Sequence, residues 1–273
     1  MRRMFLVTLL TAFSDVHAAG VLPGMPDTGQ DTCYDGVALV LVACTNGNSG
    51  VGATFPGQDG RFGRDAKAKA GTLVKQGGGA AGFDYTKVAN NGNDVPAGTA
   101  LDTGATDWAC TRDNVTGLLW EVKVSDITQL RHYDWQYTWY STDGASNGGD
   151  PGTPSSANPG AVCATAGHCD TQTFVADVNA AALCGFTDWR MPSLRELQTI
   201  VHHGVINPSI DTTYFPNTGN SVTLSFDFWT ATTQAGGASA AWFLYFGQPS
   251  SDGAATSAKS GGSHIRLVRG VPF

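Results

Sequence analysis

Six cysteines constrain the fold of this chain more than any other feature of its sequence. All of them lie beyond residue 18, and an even number in an exported chain favours disulfide bonds over thiol chemistry. Six cysteines allow many alternative pairings. Short spacing suggests two bridges and elimination leaves a third, which gives Cys33–Cys44, Cys163–Cys169 and Cys110–Cys184. The C-x-x-C pairs typical of zinc sites are absent from the sequence, so we expect neither a metal site nor a cofactor.

The first 18 residues have the pattern of a secretory signal. Arg2 and Arg3 precede an apolar run over 4–13, and small residues follow at Val16 and Ala18. We expect cleavage near Ala18. No later stretch is apolar for long enough to span a bilayer, so we predict a protein that is secreted or held at the cell surface, with the periplasm as an alternative.

Charge argues against a nucleic-acid partner. The formal net charge of the whole chain is −7, and the signal carries two arginines and one aspartate, so its removal leaves −8. Binding a polyanion needs a basic stripe. The one weak basic cluster is more typical of a solvated loop, and it comprises Arg61, Arg64, Lys67 and Lys69.

The order of patterns predicts an α+β fold in which strands, two helices and further strands follow one another. Residues 19–107 are interpreted as a glycine-rich extension of loops laid over a core, with one strand in a bridged hairpin at 37–44. The ordered domain is placed at 108–273. Its predicted strands are 118–124, 226–231, 240–247 and 264–270, and its first predicted helix is 171–183. The strand 240–247 is apolar throughout, which is typical of a central strand covered on both faces.

The stretch DWRMPSLRELQTIV at 188–201 predicts the second helix. Ser193 and Glu196 form an S-x-x-E capping box, so the helix should begin at Leu194. Leu194, Leu197, Ile200 and Val201 fall on one face, and Gly204 suits a helix stop.

The ordered motifs resemble the C-terminal domain family of the Legionella collagen-like protein. They are TRDNVTGLLWE (111–121), DWRMPSLRELQTIV (188–201), IDTTYFPNT (210–218), FWTATT (228–233), AWFLYF (241–246) and IRLVRG (265–270), and TGQDTCYD (28–35) resembles the family's lead-in. The resemblance implies a C-type-lectin-like fold: paired first and last strands, a twisted antiparallel sheet, two flanking helices, and long loops that carry specificity. Arg190 to Glu196 and Arg266 to Arg269 also resemble elements of the formylglycine-generating enzymes. Those enzymes use a late pair of cysteines, and no cysteine follows Cys184 here.

Two loop segments are the candidate binding regions, because binding residues concentrate on loops held by a rigid scaffold. In the segment 247–263 and its borders we assign ligand contacts, and a solvated hairpin turn is the alternative. The assigned residues are Tyr245, Gln248, Ser251, Asp252, Lys259 and His264. The second segment is the long excursion at 141–170, which contains almost no large apolar residue.

Several side chains near the excursion allow two interpretations. Tyr137, Trp139 and Tyr140 could stack against sugar rings, but packing is favoured. Asp143, Asn147 and Asp150 could bind calcium, but turn formation is favoured.

Other conspicuous residues are assigned to the scaffold. Trp189, Trp229 and Trp242 are expected in the core. Arg190, Arg266 and Arg269 are expected to pair with Glu196, Asp188 or Asp211. His202 and His203 are adjacent on a helix and point in different directions, which disfavours a two-histidine metal site.

The sequence contains no nucleophile elbow, zinc-protease motif or phosphate loop. We therefore predict a non-enzymatic recognition or adhesion module that binds an extracellular carbohydrate or protein and could form homo-oligomers. Two alternatives are a structural subunit of a pilus or surface layer, and an exported hydrolase that uses paired carboxylates.

Overall fold

A computed structural model describes residues 24–34, 41–44, 57–155, 162–219, 227–247 and 253–272. The helices are α1 (Gly63–Lys69), α2 (Thr171–Ala180) and α3 (Leu194–Gln198). The first strands are β1 (Thr32–Tyr34), β2 (Leu41–Ala43), β3 (Tyr85–Ala89), β4 (Trp108–Asp113), β5 (Leu119–Glu121) and β6 (Tyr137–Thr138). The later strands are β7 (Asp227–Thr233), β8 (Ala240–Tyr245), β9 (Ala254–Ala258), β10 (Gly262–Ser263) and β11 (Val268–Arg269). The mixture of helices and strands agrees with the predicted α+β class.

The largest sheet has the antiparallel order β11-β5-β4-β3. Its last strand pairs with β5, so chain segments from both ends of the domain meet in one sheet. The strand β3 comes from the region interpreted as loops over a core, and that interpretation was wrong for 83–89. Phe83 and Tyr85 are buried there, and Tyr85 packs edge-on against Phe215. Because glycine-rich segments flank β3, the sequence pattern did not indicate a strand there, although β3 contributes side chains to the core.

The second sheet has the order β7-β8-β9, so β8 is central as predicted. Ala241 and Leu244 point to opposite faces of the strand and both are fully buried, so each face packs on a core, although Trp242 is only half-buried. The expected core position of Trp242 was therefore wrong, while Trp189 and Trp229 are buried. The segment 247–263 contains β9 and β10, so it is not simply a loop. The small side chains of β9 do not alternate between apolar and polar residues, so the sequence pattern did not predict a strand there.

The terminal strand is shorter than predicted. Only Val268 and Arg269 form a ladder with β5, although Ile265 and Leu267 are also fully buried. The Leu267 N–H donates to the Glu121 carboxylate at 2.8 Å, and this side-chain bond replaces a ladder bond.

The helix α3 has the predicted capping box. Ser193 Oγ accepts from the Glu196 N–H, and Glu196 Oε2 accepts from the Ser193 N–H at 2.8 Å. The apolar face is buried at Leu197, Ile200 and Val201. The helix ends at Gln198, well before Gly204. Thr199 Oγ1 donates to the Glu196 carbonyl at 2.6 Å, so a side chain satisfies a backbone acceptor near the helix end.

The helix α2 begins at Thr171 as predicted, and Asp170 caps it by accepting from the Thr173 N–H at 2.8 Å. It ends three residues early, because Ala182 takes a left-handed backbone conformation (φ 48°).

The structure contains the three disulfides that spacing and elimination suggested: Cys33–Cys44, Cys110–Cys184 and Cys163–Cys169. The first closes the hairpin of β1 and β2, so the predicted bridged hairpin is present, although Val37 to Val40 lie outside the described residues. The second joins β4 to the turn after α2.

Two of the three predicted arginine pairings form. Arg190 binds Glu196 and Arg269 binds Asp188. Arg266 instead donates to the Glu121 carbonyl and to Thr218 Oγ1, and Asp211 accepts from the Ala80 N–H. Within the described ranges, no helix is long and apolar enough to traverse a lipid bilayer.

Candidate functional site

A groove beside β6 is the best candidate for a binding site. We call it the excursion groove, and it has a cavity volume of about 330 Å³. Trp139 and Tyr140 follow β6 directly and line it. The opposite side comes from the first turn of α2, with Thr171, Gln172 and Val175. The segment before α3 adds Arg190 and Met191.

Hydrogen bonds fix the two sides of the groove to each other. The Tyr140 N–H donates to Thr171 Oγ1 at 2.9 Å, and that hydroxyl donates to the Tyr140 carbonyl at 2.8 Å. Gln172 Oε1 accepts from both the N–H and the hydroxyl of Thr142. The start of α2 therefore holds the start of the excursion.

The three aromatic residues in and directly after β6 differ in how deeply they are buried. Tyr137 and Trp139 are buried, and Trp139 Nε1 donates to the Thr230 carbonyl at 2.8 Å. Packing was the favoured interpretation for all three, Tyr140 included, and the burial of Tyr137 and Trp139 agrees with it. Tyr140 is partly exposed, so its ring is accessible to a ligand in the groove.

Two charged side chains line the groove, and both are engaged. The Arg190 guanidinium donates to both carboxylate oxygens of Glu196, at 2.6 and 2.8 Å. Asp143 accepts from the Ala145 N–H and from the Ser146 hydroxyl, which lowers the pKa of its carboxyl group. The remaining polar groups are hydroxyls and an amide.

The two candidate loop segments converge, and a buried lysine joins them. Lys259 Nζ donates to the carbonyls of Asn147 and Asp150, at 2.8 and 2.6 Å, and lies 4.0 Å from the Trp139 ring centroid. Thr233 Oγ1 adds a bond to the Ser146 carbonyl. The excursion is therefore anchored to the scaffold by its main chain.

The six assigned ligand contacts do not form one exposed set. Lys259 and His264 are only 2% and 3% exposed, so neither is available to a ligand at the surface, and their assignment was wrong. Burial lowers the pKa of the Lys259 ammonium, and lowers that of His264 to about 4. Tyr245 is partly exposed at the end of β8. The other three, Gln248, Ser251 and Asp252, lie outside the described residues.

The polar residues of the excursion form turns, as favoured over calcium binding. Asp143, Asn147 and Asp150 each accept a backbone N–H two residues ahead with a side-chain oxygen. These are Asx turns, which explain the residue types without a metal.

One carboxylate cluster was not anticipated. Asp27, Asp59 and Asp65 each place an oxygen within 4.8 Å of the others. Asp65 accepts from the Gly29 and Gly82 N–H groups, and Asp27 accepts from the Asp65 N–H. Burial raises the pKa of Asp65. These bonds tie the N-terminal lead-in to α1, so the cluster has a structural role.

Sequence reasoning named the excursion as a candidate region, but it favoured packing for Tyr140 and missed the lining by α2. The signal was the Asp170 to Thr173 capping box, which fixes where the first turn begins and therefore which side chains face Tyr140.

Comparison with known families identifies the domain. The Lcl C-terminal domain matches residues 109–269, which covers the structure from β4 to β11. The chain belongs to the Lcl C-terminal domain family. No curated protein and no solved structure matches it. The matched range of this Lcl C-terminal domain contains the entire excursion groove and begins after β3.

Proposed function

We propose that this protein is an exported recognition module, with a C-type-lectin-like domain, that binds uncharged carbohydrate in the excursion groove. Membership of the Lcl C-terminal domain family supports a surface or secreted binding role. The three disulfides fit an oxidising compartment. The proposed secretory signal lies outside the described residues.

The composition of the groove is the observation that carries this proposal. An accessible Tyr140 ring stands beside hydroxyl and amide groups from Ser141, Ser146 and Gln172. Sugars present apolar faces and hydroxyl groups, so an aromatic ring and neutral polar groups match them.

Charge favours a neutral glycan over a sulfated one. The cation of the groove, Arg190, already donates from Nη1 and Nη2 to both carboxylate oxygens of Glu196. The net charge of −7 also repels a polyanion. The hydrolase alternative needs two facing carboxylates. Among the described lining residues only Asp143 supplies one, and it holds a turn.

A glycan array followed by calorimetry with the soluble hits tests the proposal. We expect neutral oligosaccharides to bind and Tyr140→Ala to weaken that binding about fivefold, because a stacked aromatic ring contributes on the order of 1 kcal/mol. Tyr34→Ala is the matched control, since Tyr34 is half-exposed on β1 and contacts Gln58 through its main chain. If no glycan on the array binds and a protein ligand is captured by the same surface, the ligand is a protein and not a carbohydrate.

A further inference from the structure

A second cavity lies at the C-terminal end of α2 and shares no described lining residue with the excursion groove. It has a volume of about 180 Å³ and lies between the end of α2 and the segment 129–131. Leu130, Val178 and Leu183 supply apolar walls, and Gln129 supplies an amide. Arg131 lines the same cavity and is 8% exposed. No described lining residue is a carboxylate.

Arg131 uses only one nitrogen for protein contacts. Its Nη1 donates to the Ala109 carbonyl at 3.1 Å and to the Val122 carbonyl. Its Nε and Nη2 groups have no acceptor in the described part of the chain. These two N–H groups form the edge of a guanidinium that receives a carboxylate through two parallel hydrogen bonds.

The surrounding interior carries an excess of positive charge. Lys123, Arg131 and Arg266 are buried together, and Glu121 is the buried carboxylate that interacts with all three. Glu121 already accepts from Lys123 Nζ at 2.7 Å and from the Leu267 N–H at 2.8 Å. A buried cation without a paired anion is costly, so this region favours an added negative charge.

We propose that this cavity binds the carboxylate of a small organic acid, with Arg131 Nε and Nη2 as the donors. The apolar walls suit the organic part of the ligand, and the planar carboxylate matches the guanidinium edge. The acid could be a free metabolite or the uronic acid of a sugar, since the chemistry recognised is the same.

Nuclear magnetic resonance of arginine Nε–H groups in the full disulfide-bonded chain tests this site. Acetate, glucuronate, glucose and sulfate are titrated at constant ionic strength. We expect one arginine signal to shift saturably with acetate or glucuronate and not with glucose or sulfate. Arg131→Gln should weaken this binding at least about tenfold, because it removes a charge-assisted bidentate pair.

Two further variants keep the test decisive if Arg131→Gln does not fold. Ala181→Phe fills the cavity from an exposed position at its rim and should abolish binding. Arg195→Gln removes an exposed arginine of equal charge and should leave binding unchanged. Saturation by acetate indicates a free acid, and saturation by glucuronate alone indicates a sugar acid; both support the site. An equal response in Ala181→Phe, an equal response to sulfate, or no saturation overturns it.

Discussion

At the scale of single residues, Lys123 is a charged group buried in the core. It is 2% exposed, and its ammonium contacts Glu121 while Arg131, Arg266 and His264 are close enough to interact electrostatically. Burial lowers the pKa of Lys123 to about 8, although the Glu121 carboxylate opposes the shift. The folded state therefore holds this proton less tightly than the unfolded state does.

This difference makes stability depend on alkaline pH. Between about pH 8 and pH 10 the unfolded chain binds more protons at Lys123 than the folded chain, so the free energy of unfolding should rise with pH, by about 2 kcal/mol. Urea titrations at pH 8, 9 and 10 measure it. Lys123→Met should remove this rise, whereas Lys69→Met, at an exposed pair with Asp31, should keep it. Parallel profiles for the wild type and Lys123→Met would contradict the assignment.

The sequence predicts some of these charges and not others. The pairs Arg190–Glu196 and Arg269–Asp188 join residues in the motifs that flank α3 and β11, so motif analysis suggested them. The partners of Arg266 are a backbone carbonyl and a hydroxyl. Such acceptors exist throughout any chain, and only the folded backbone selects them.

At the scale of elements, both helices in the matched domain begin with a capping box, but the two cap residues differ in their further hydrogen bonds. Ser193 caps α3, and within the described part of the chain its hydroxyl hydrogen-bonds to that helix alone. Asp170 caps α2 through Oδ1, and its Oδ2 also accepts from the N–H and hydroxyl of Ser155 in the excursion. Asp170 therefore links a helix start to the loop over the groove.

Alanine substitutions should separate these two roles. Ser193→Ala should lower the free energy of unfolding by about 1 kcal/mol, the usual cost of a lost cap. Asp170→Ala should cost about 2 to 3 kcal/mol, because it also leaves the Ser155 N–H unpaired. Urea unfolding of both variants measures the difference, and Asp170→Asn serves as the control that keeps an oxygen acceptor for the helix. Equal losses for the two alanine variants would argue that the bonds to Ser155 add nothing.

Helix starts could be predicted from the sequence more accurately than helix ends. The two residues of a capping box lie three positions apart and form the cap hydrogen bonds with each other, so the sequence alone identifies the helix start. The ends of α2 and α3 depend on the conformation of Ala182 and on the Thr199 hydroxyl, neither of which has a strong sequence signature.

At the scale of the whole molecule, disulfides connect regions that are distant in sequence. Cys110–Cys184 spans 74 residues and joins β4 to the end of α2, whereas Cys163–Cys169 spans only six. Cys110 and Cys184 are both fully buried. The long bridge therefore restricts the unfolded chain far more than the short one.

Paired serine substitutions should reproduce this order. Removing Cys110–Cys184 should destabilise the fold by about 4 kcal/mol and removing Cys163–Cys169 by about 2 kcal/mol, since the loop entropy grows with loop length. Guanidinium unfolding of the two double variants gives both values. A larger loss for the short bridge would show that local packing, not chain entropy, sets its contribution.

The sequence predicted the order of the elements, the cysteine partners and the central position of β8, because each has a local pattern or follows from elimination. It did not predict the strands β3, β4, β6, β9 and β10. The strand β3 is flanked by glycine-rich turns, and β9 consists of alanine, serine and threonine. The excursion was one of two candidate segments, recognised by its lack of large apolar residues, but its position beside α2 results from tertiary contacts alone.

The anchoring of the excursion has a consequence for how this protein can change. Lys259 and Thr233 hold it through the carbonyls of Ser146, Asn147 and Asp150, and every amino acid supplies a carbonyl. Asp143, Asn147 and Asp150 must stay because they hold turns, and Gly148 and Gly152 must stay because of their positive φ. The other side chains of the described excursion can therefore be exchanged while the path of its backbone is preserved. Backbone carbonyls hold the excursion to the scaffold, and side chains line the groove. The groove is therefore suited to diversification, by natural drift or by a designed library, while the scaffold stays unchanged.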